Sequence, residues 1–420
     1  MGNIFISKIV IDKVRHLKNL EIELSSEEKK YLILTGKNGS GKTSLLNSIA
    51  TFLNSITSSN QLASAIEGIK KCEKDLKRFR VIPNKMSNET TRSFEDLIAT
   101  YKKMVETLSG GVTLSLNCSL SDARQEFIQG HFVVAYYKAD RVFKAKEPEH
   151  VEKVQLKDGY GINETPRNDF IKYLLDLKMT QALADSNGKK EKADSIRLWF
   201  DKFQDLLKRL FKDDSVKLDF DEDTFKFKIL MNNREPFDFN TLSSGYAAVL
   251  DIIVDLILRM TSHTNKVFDF SVPGIVLIDE IETHLHLELQ KEILDFLTTV
   301  FPNVQFIVST HSPFILNSLD NSTIYDLEKH LQVKDGLTNI PYSGIVEGYF
   351  DSDTLSKELK DKFERYKALV EKENLTDDDI EEISSLEVYL DEIPDYLALN
   401  ITTEYQRLKM KLRKRESVNG

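Results

Sequence analysis

The chain has few cysteines and no long hydrophobic run. Its two cysteines, Cys72 and Cys118, exclude a disulfide framework and a cysteine-rich metal site, and they favour a reducing compartment. The most apolar stretch, Ala247–Met260, is interrupted by three charged residues and is too short to span a bilayer. The first residues lack the apolar run of a signal peptide. We therefore expect a cytoplasmic protein with no membrane partner.

The charge balance limits the class further. The chain has 57 Lys and Arg residues against 67 Asp and Glu residues, a formal charge of −10, which argues against a protein coated in nucleic acid. A local basic groove remains compatible with that balance. Charged residues make up 30% and hydrophobic residues 41% of the chain, as in ordinary soluble domains. A length of 420 residues allows one large domain with insertions, or two domains.

A glycine-rich loop is the most informative segment that is present. Residues 36–43 read Gly-Lys-Asn-Gly-Ser-Gly-Lys-Thr and follow the apolar, β-prone segment Tyr31–Thr35, with a helical pattern after them. This strand–loop–helix context is typical of a phosphate-binding loop rather than a chance glycine-rich turn. Loop amides would bind phosphate, Lys42 would reach the β- and γ-phosphates, and Thr43 would bind Mg²⁺. The predicted nucleotide-binding residues here are Gly36, Lys37, Asn38, Gly39, Ser40, Gly41, Lys42, Thr43 and Ser44.

A second turn suited to anions precedes the apolar helix Ala247–Met260. Residues 242–246 read Leu-Ser-Ser-Gly-Tyr. Hydroxyl groups, a glycine and a helix N-terminus together favour phosphate. An ordinary N-capped helix is the alternative interpretation.

Two apolar strands end in polar side chains. The strand Ile275–Ile278 runs into Asp279 and Glu280, and the segment Gln305–Ser309 precedes His311. Ligands bind at the carboxyl ends of strands in open α/β sheets. Asp279 is therefore predicted to hold Mg²⁺, Glu280 to act as general base, and His311 to contact a γ-phosphate or the attacking water. Solvated acids and a structural histidine are the alternatives.

The order of these four motifs resembles the heads of ABC-type ATPases, over residues 3–50 and 236–320. The resemblance implies an α/β fold, namely a P-loop core sheet plus an antiparallel β subdomain, with helical insertions and a helical C-terminal region. It also implies that two molecules clamp Mg-ATP between them. Residues acting in cis would be Lys42, Thr43, Asp279, Glu280 and His311, and residues acting in trans would be Leu242, Ser243, Ser244, Gly245 and Tyr246.

The residues of these motifs indicate a branch of that family. Leu-Ser-Ser-Gly-Tyr and Asp-Glu-Ile-Glu-Thr-His-Leu-His resemble the RecF/SMC-like and OLD-like heads and not transporter heads. No sustained heptad pattern separates the phosphate loop from the second motif, which predicts a compact head without a coiled-coil arm. By the same resemblance Arg15, in a basic turn between two strands, is a candidate nucleotide contact. Gln129 is the candidate for the glutamine that commonly contacts Mg²⁺ in such heads.

Within this branch, the segments Phe132–Phe143 and Asn240–Met260 most resemble the ATPase subunits of Septu and PARIS antiphage systems. That resemblance implies a separate effector, an HNH or TOPRIM nuclease or a toxin. Asp351 and Asp353 have the spacing of a TOPRIM site but lack its strands, so we predict no nuclease in this chain. His284 and His286 fall where such heads place the loop between opposed sites, and we favour that role or packing over metal binding.

The sequence therefore predicts a cytoplasmic ATPase that dimerises, or forms a higher homo-oligomer, on Mg-ATP and controls an antiphage effector. The alternative is a RecF-like repair ATPase that acts directly on DNA, so nucleic acid is a further candidate partner. A transporter head fits poorly, and a slowly hydrolysing scaffold is a fourth hypothesis. The predicted regions are the first part of the head (1–50), a mostly helical insertion (51–130), a β/helical lid (131–235), the second part of the head (236–330) and a helical C-terminal region (345–416).

Overall fold

A computed structural model describes residues 3–80, 88–141, 148, 150–261, 270–341, 344–345, 357–372, 375–391 and 404–412. The chain forms two compact units, residues 1–340 and residues 341–420. All the motifs described above lie in the first unit. The Asp351–Asp353 segment lies outside the described residues.

A six-stranded sheet forms the centre of the first unit. Its spatial order is β11-β10-β3-β9-β8-β5, and all neighbours pair in parallel except β10 and β11. Every residue of β3, β5, β8, β9 and β10 is buried, because helices cover both faces of a parallel sheet and such strands read as continuous apolar runs. The strands are β3 (Tyr31–Thr35), β5 (Val133–Tyr137), β8 (Gly274–Ile278), β9 (Val304–Ser309), β10 (Ser322–Asp326) and β11 (Leu331–Val333).

A three-stranded antiparallel sheet lies beside it, in the order β2-β1-β4. Its strands are β1 (Ile6–Val14), β2 (Leu17–Glu23) and β4 (Val112–Leu116). The buried amide of Gln305 on β9 accepts a hydrogen bond from Ile6 N at 2.7 Å and donates one to Ile6 O at 3.0 Å. These two bonds fix the antiparallel sheet to the core sheet. A separate hairpin pairs β6 (Lys217–Asp221) with β7 (Lys226–Leu230).

Helices connect and cover these strands. Helix α1 packs its apolar face against both larger sheets, and α2 and α3 pair in the predicted helical insertion. Trp199 on α6 is buried, stacks on Phe203 at 5.4 Å and meets Tyr173 edge-on at 5.8 Å, so it is a core residue of this helix. The helices are α1 (Lys42–Ser58), α2 (Gln61–Arg80), α3 (Asn88–Ser109), α4 (Leu120–Ile128), α5 (Phe170–Ser186), α6 (Lys190–Phe211), α7 (Ser244–Thr261), α8 (Leu287–Val300) and α9 (Pro313–Leu316).

Two strands pair with strands that lie outside the predicted regions to which they belong. Strand β4, inside the predicted insertion 51–130, pairs with β1. Strand β5, inside the predicted lid 131–235, pairs with β8 at the edge of the core sheet. Both are short apolar segments whose partners lie more than 100 residues away, and a local pattern carries no information about which strand pairs with which.

The second unit is helical. Helices α10 (Lys357–Glu371), α11 (Asp377–Asp391) and α12 (residues 404–412) share an apolar cluster that includes Tyr366 and Tyr405. Thr376 and Asp379 cap the start of α11 reciprocally, since each backbone amide donates to the other side chain, at 3.0 and 3.2 Å. This arrangement is a capping box, which satisfies two amides at the start of the helix.

Candidate nucleotide site

The glycine-rich loop joins β3 to α1 at the carboxyl edge of the core sheet. Gly36 and Gly41 have φ angles of 129° and 101°, values that glycine tolerates and other residues rarely adopt. Gly41 also lies against the antiparallel sheet, where an added Cβ would be 2.9 Å from Leu17 Cδ1. These constraints give the loop the tight curve that a phosphate-binding loop needs.

Lys42 begins α1 and is buried beneath the loop. Its ammonium group donates to the carbonyl oxygens of Gly36 at 2.8 Å and Lys37 at 3.2 Å. Burial lowers the pKa of Lys42, and the nearby carboxylates, Glu280 foremost, act in the opposite direction. Thr43 is exposed in the first turn of α1, so its hydroxyl is available to a ligand at this edge.

The two predicted acids follow β8 at the same edge. Asp279 is buried, and its Oδ1 accepts a hydrogen bond from Ser309 Oγ at 2.5 Å. The same hydroxyl accepts a hydrogen bond from Glu280 N at 2.8 Å. Ser309, the last residue of β9, therefore holds both acids against the neighbouring strand. Glu280 has a φ of 44°, a strained value for a non-glycine residue that often occurs at functional turns.

Arg141 supports this turn from the β5 side. Its guanidinium donates to three successive carbonyl oxygens: Asp279 at 2.9 Å, Glu280 at 3.2 Å and Ile281 at 2.8 Å. The side chain is 5% exposed, and burial is the main reason that its pKa is lowered. Sequence reasoning did not assign Arg141 a role. The available signal was an arginine four residues after a buried strand.

His311 lies next to the acids, two residues after β9. Its backbone amide donates to Glu282 Oε1 at 2.6 Å, which brings a third acid into the site. Burial and then Lys42 lower the pKa of His311, while Glu282, Glu280 and Asp279 raise it. The structure thus brings together Lys42, both predicted acids and the predicted histidine. Glu282 was missed, although it belongs to the Asp-Glu-Ile-Glu segment.

Several enclosed polar atoms at this edge have no hydrogen-bond partner. Buried polar groups are nearly always paired in folded proteins, so each such atom is available to bind a water, an ion or a ligand. Other unpaired atoms occur elsewhere among the described residues, but these six belong to the phosphate loop or to the carboxyl ends of the core strands. They are Thr35 Oγ1, Ser40 Oγ, Tyr136 OH, Arg141 Nε, Glu282 Oε2 and His311 Nε2.

The turn between β1 and β2 contacts the phosphate loop through His16, the neighbour of the candidate nucleotide contact Arg15. Arg15 is exposed and has a φ of 53° in the two-residue turn. His16 Nε2 lies 3.1 Å from Ser40 O. His16 also lines a cleft of about 430 Å³ beside the loop, together with Lys37 and His330. A two-residue turn directs successive side chains differently, and the basic pattern alone could not show which one faces the loop.

This geometry predicts different effects for the two residues of the turn. His16→Ala is expected to weaken Mg-ATP binding about tenfold, because it removes a contact to the phosphate loop and one wall of the adjoining cleft. Arg15→Ala is the matched control and is expected to change the Kd less than twofold. Titration with a fluorescent ATP analogue measures both. Equal losses for the two variants would contradict the assignment of His16.

The Leu-Ser-Ser-Gly-Tyr motif begins α7. Ser243 and Ser244 are exposed, whereas Gly245 is buried against the turn that follows the acids. An added Cβ at position 245 would lie 2.9 Å from His284 O, so only glycine allows this approach. Leu242 is half-buried.

Tyr246 continues that contact, with its ring 4.7 Å from the Phe211 ring and 5.9 Å from the His286 ring. His286 thus packs against the first turn of α7 and also caps α8. Within the described part of the chain, no three His, Cys, Asp or Glu side chains are grouped to hold a metal ion.

A buried ionic network fixes α7 to β5. Arg259 Nε donates to Asp255 Oδ2 at 2.6 Å, and Tyr137 OH donates to the same oxygen at 2.8 Å. Arg167 pairs with Asp251 at 2.7 Å and with Asp255 at 3.4 Å. Burial raises the pKa of Asp251 to about 6 although Arg167 opposes the shift. The three charges that interrupt the apolar sequence of α7 are therefore internal ion-pair partners.

Gln129 lies at the wrong edge of the sheet for a metal contact. It caps the C-terminus of α4 and precedes the amino end of β5, whereas the phosphate loop and the acids follow carboxyl ends. A five-residue strand separates the two edges by about 16 Å. The strand β5 leads instead into Lys138, Ala139 and Asp140.

The core sheet, the phosphate loop, the acid pair and the histidine occur in the order that is typical of ABC-type ATPase heads, which the chain resembles in these features. Residues 148–317 match the family described as "AAA domain, putative AbiEii toxin, Type IV TA system". The match covers the second motif, the acids and His311, while the phosphate loop lies before it.

Two curated proteins are similar to this chain over most of its length. The chain is 26% identical to the Septu protein PtuA of Bacillus mycoides (strain KBAB4), over 96% of this chain and 52% of that protein. It is also 26% identical to the "Retron Vc95 probable ATPase" of Vibrio cholerae serotype O1 biovar El Tor, over 76% of this chain and 74% of that protein. The chain thus spans about half the length of its Septu relative.

A solved SMC head bound to the C-winged helix domain of ScpA matches 79% of this chain and 96% of the SMC head chain, with a TM-score of 0.36 and 16% identity.

Across the helices that the structure describes, none combines the length and apolar character needed to cross a membrane.

Proposed function

We propose that this protein binds Mg-ATP at the carboxyl edge of its core sheet and hydrolyses it to ADP and phosphate. One observation carries the proposal: Lys42, the acid turn and His311 meet at this edge, where six enclosed polar atoms lack partners. The loop amides and Lys42 form a cradle for phosphate oxygens. The buried ammonium group of Lys42 can bind phosphate oxygens, and the three nearby carboxylates can bind a metal ion. The site therefore suits a ligand that carries both phosphate and a metal ion.

The donor set fits magnesium. Thr43 and Asp279 offer hard oxygen ligands, and Mg²⁺ is usually held by one or two protein oxygens together with phosphates and waters. When bound, the ion neutralises charge on the phosphates. Glu280 then orients and deprotonates the attacking water, while Ser309 and Arg141 hold the backbone of its turn in place. His311, with its free Nε2, donates or accepts a hydrogen bond at the γ-phosphate side.

The second motif would complete the site of a partner molecule. Ser243 and Ser244 are exposed at the start of α7, where hydroxyls and helix amides can bind phosphate oxygens. A symmetric dimer would place this turn over the nucleotide of the other molecule, giving two shared sites. The γ-phosphate would join the molecules, and its hydrolysis would release them.

A mixing experiment tests the shared site. Lys42→Ala removes the phosphate contact and Ser244→Arg blocks the second motif, so each variant alone is expected to be inactive. A 1:1 mixture should recover about a quarter of wild-type turnover, since half of the dimers are mixed and each mixed dimer has one intact site. Phosphate release is measured, and light scattering with Mg-ATP reports the dimer. A mixture as inactive as its components would contradict the shared site.

We further propose that the nucleotide-driven assembly controls a separate effector of an antiphage system. The similarity to Septu protein PtuA and to a retron ATPase supports this role. Co-expression with the neighbouring nuclease or toxin gene tests it, and the effector should be held by the ATP-bound assembly. ATP-dependent DNA binding by the protein alone, falling steeply with salt, would instead favour the RecF-like alternative.

A further inference from the structure

The hydroxyl of Tyr136 is enclosed and has no hydrogen-bond partner. Its neighbour Tyr137 points to the opposite face of the core sheet, where its hydroxyl is bonded to Asp255. Burying a hydroxyl without a hydrogen-bond partner is unfavourable. The two adjacent tyrosines thus differ: the Tyr137 hydroxyl has a hydrogen-bond partner within the chain, and the Tyr136 hydroxyl lacks one.

Strand register places Tyr136 beside the acid turn. Tyr136 is opposite Leu277 in the parallel pair of β5 and β8, and both belong to the apolar cluster that packs on α1. Asp279 lies two residues beyond Leu277, and Asp279 N continues the ladder by donating to Tyr137 O at 2.8 Å. Residues two apart on one strand face are about 7 Å from each other, which a tyrosine side chain spans.

The helix that carries Thr43 lies on the other side of Tyr136. Tyr136 lines a cleft of about 760 Å³ together with Asn47 and Ala50 of α1. Asn47 in turn donates to Thr43 O at 2.8 Å. A tyrosine phenol carries a proton near neutral pH, so the hydroxyl of Tyr136 can donate a hydrogen bond.

We infer that Tyr136 is a positioning residue of the metal–nucleotide site, whose hydroxyl donates to a water in the Mg²⁺ shell between Asp279 and Thr43. The inference rests on the proposed function. The inference gives the unpaired hydroxyl of Tyr136 a hydrogen-bond partner. It also places a polar group beside Mg²⁺ on β5, a strand that is not followed by the glutamine that commonly contacts Mg²⁺ in such heads. Groups that orient a metal's waters commonly change metal affinity or activity about 10–100-fold when removed.

Tyr136→Phe and Tyr137→Phe form a matched pair that removes one hydroxyl from each face of β5. Tyr136→Phe is expected to lower kcat about tenfold and to raise the Mg²⁺ concentration for half-maximal binding of a fluorescent ATP analogue about tenfold. Its melting temperature without metal and nucleotide should not fall, because no protein hydrogen bond is lost. Tyr137→Phe should show a lower melting temperature and the Mg²⁺ dependence of the wild type.

The outcomes separate the inference from the proposed function. If the wild-type protein releases no phosphate, hydrolysis is refuted, and the Mg²⁺ dependence of analogue binding still tests Tyr136. If Tyr136→Phe matches the wild type in turnover and Mg²⁺ dependence, the inference is overturned. It is equally overturned if Tyr136→Phe loses as much thermal stability as Tyr137→Phe, because the hydroxyl would then have a structural partner.

Discussion

Replacement of Glu280 by glutamine is expected to slow ATP hydrolysis by about 10²–10⁴-fold, the usual contribution of a positioned general base. The amide keeps the size of the side chain and cannot take a proton from water. Backbone contacts from Ser309 and Arg141 to this turn do not involve the carboxylate and should persist. Mg-ATP binding should therefore remain, and the dimer that ATP assembles should accumulate because its release step is blocked.

Single-turnover phosphate release and light scattering measure the two parts of this result. Glu288→Gln is the matched control, because Glu288 is an exposed acid in the first turn of α8 and should turn over ATP at the wild-type rate. Undiminished turnover by Glu280→Gln would show that another group activates the water, and Glu282, two residues further on, would be the first candidate. Normal assembly followed by normal release would refute the link between hydrolysis and separation.

Replacement of Arg259 by leucine should destabilise the first unit by about 3–5 kcal/mol, the usual cost of removing one partner of a buried ion pair. Arg259 is 2% exposed and Asp255 is fully buried. The guanidinium also donates to carbonyl oxygens of Val134 at 3.0 Å and Gly161 at 3.1 Å. Leucine would leave those acceptors and a buried carboxylate short of donors.

Urea denaturation followed by tryptophan fluorescence measures this loss, because Trp199 is buried in the first unit. Arg197→Leu is the matched control: Arg197 pairs with Asp194 in α6 with both side chains more than half exposed. Exposed pairs of this kind contribute less than about 1 kcal/mol. Similar losses for the two variants would mean that the network around Asp255 adds no more than a surface pair.

The sequence predicted the parts of the site that one contiguous segment builds. The phosphate loop carries its own strand, turn and helix start, and Asp279 and Glu280 end a strand whose apolar run is visible in the sequence. His311 could be placed because parallel strands bring their carboxyl ends to one edge. In each case the local pattern contains the geometry.

The parts that sequence did not predict depend on contacts between distant segments. Arg141 acts through carbonyl oxygens 138 to 140 positions away. Tyr136 and Tyr137 have the same local pattern, and only the register with β8 shows which one faces the acids. The contact of His16 with Ser40 likewise joins two segments that are 24 residues apart.

The close approach of Gly245 to His284 has a consequence for a paired assembly. The turn that would bind the neighbour's nucleotide packs directly on the turn that follows the molecule's own proposed catalytic acid, since a Cβ at position 245 would lie 2.9 Å from His284 O. A shift of one turn would therefore press on the other. In the dimer proposed above, binding of one nucleotide would thus affect the site of the other. Turnover should then depend on ATP concentration with a Hill coefficient above one.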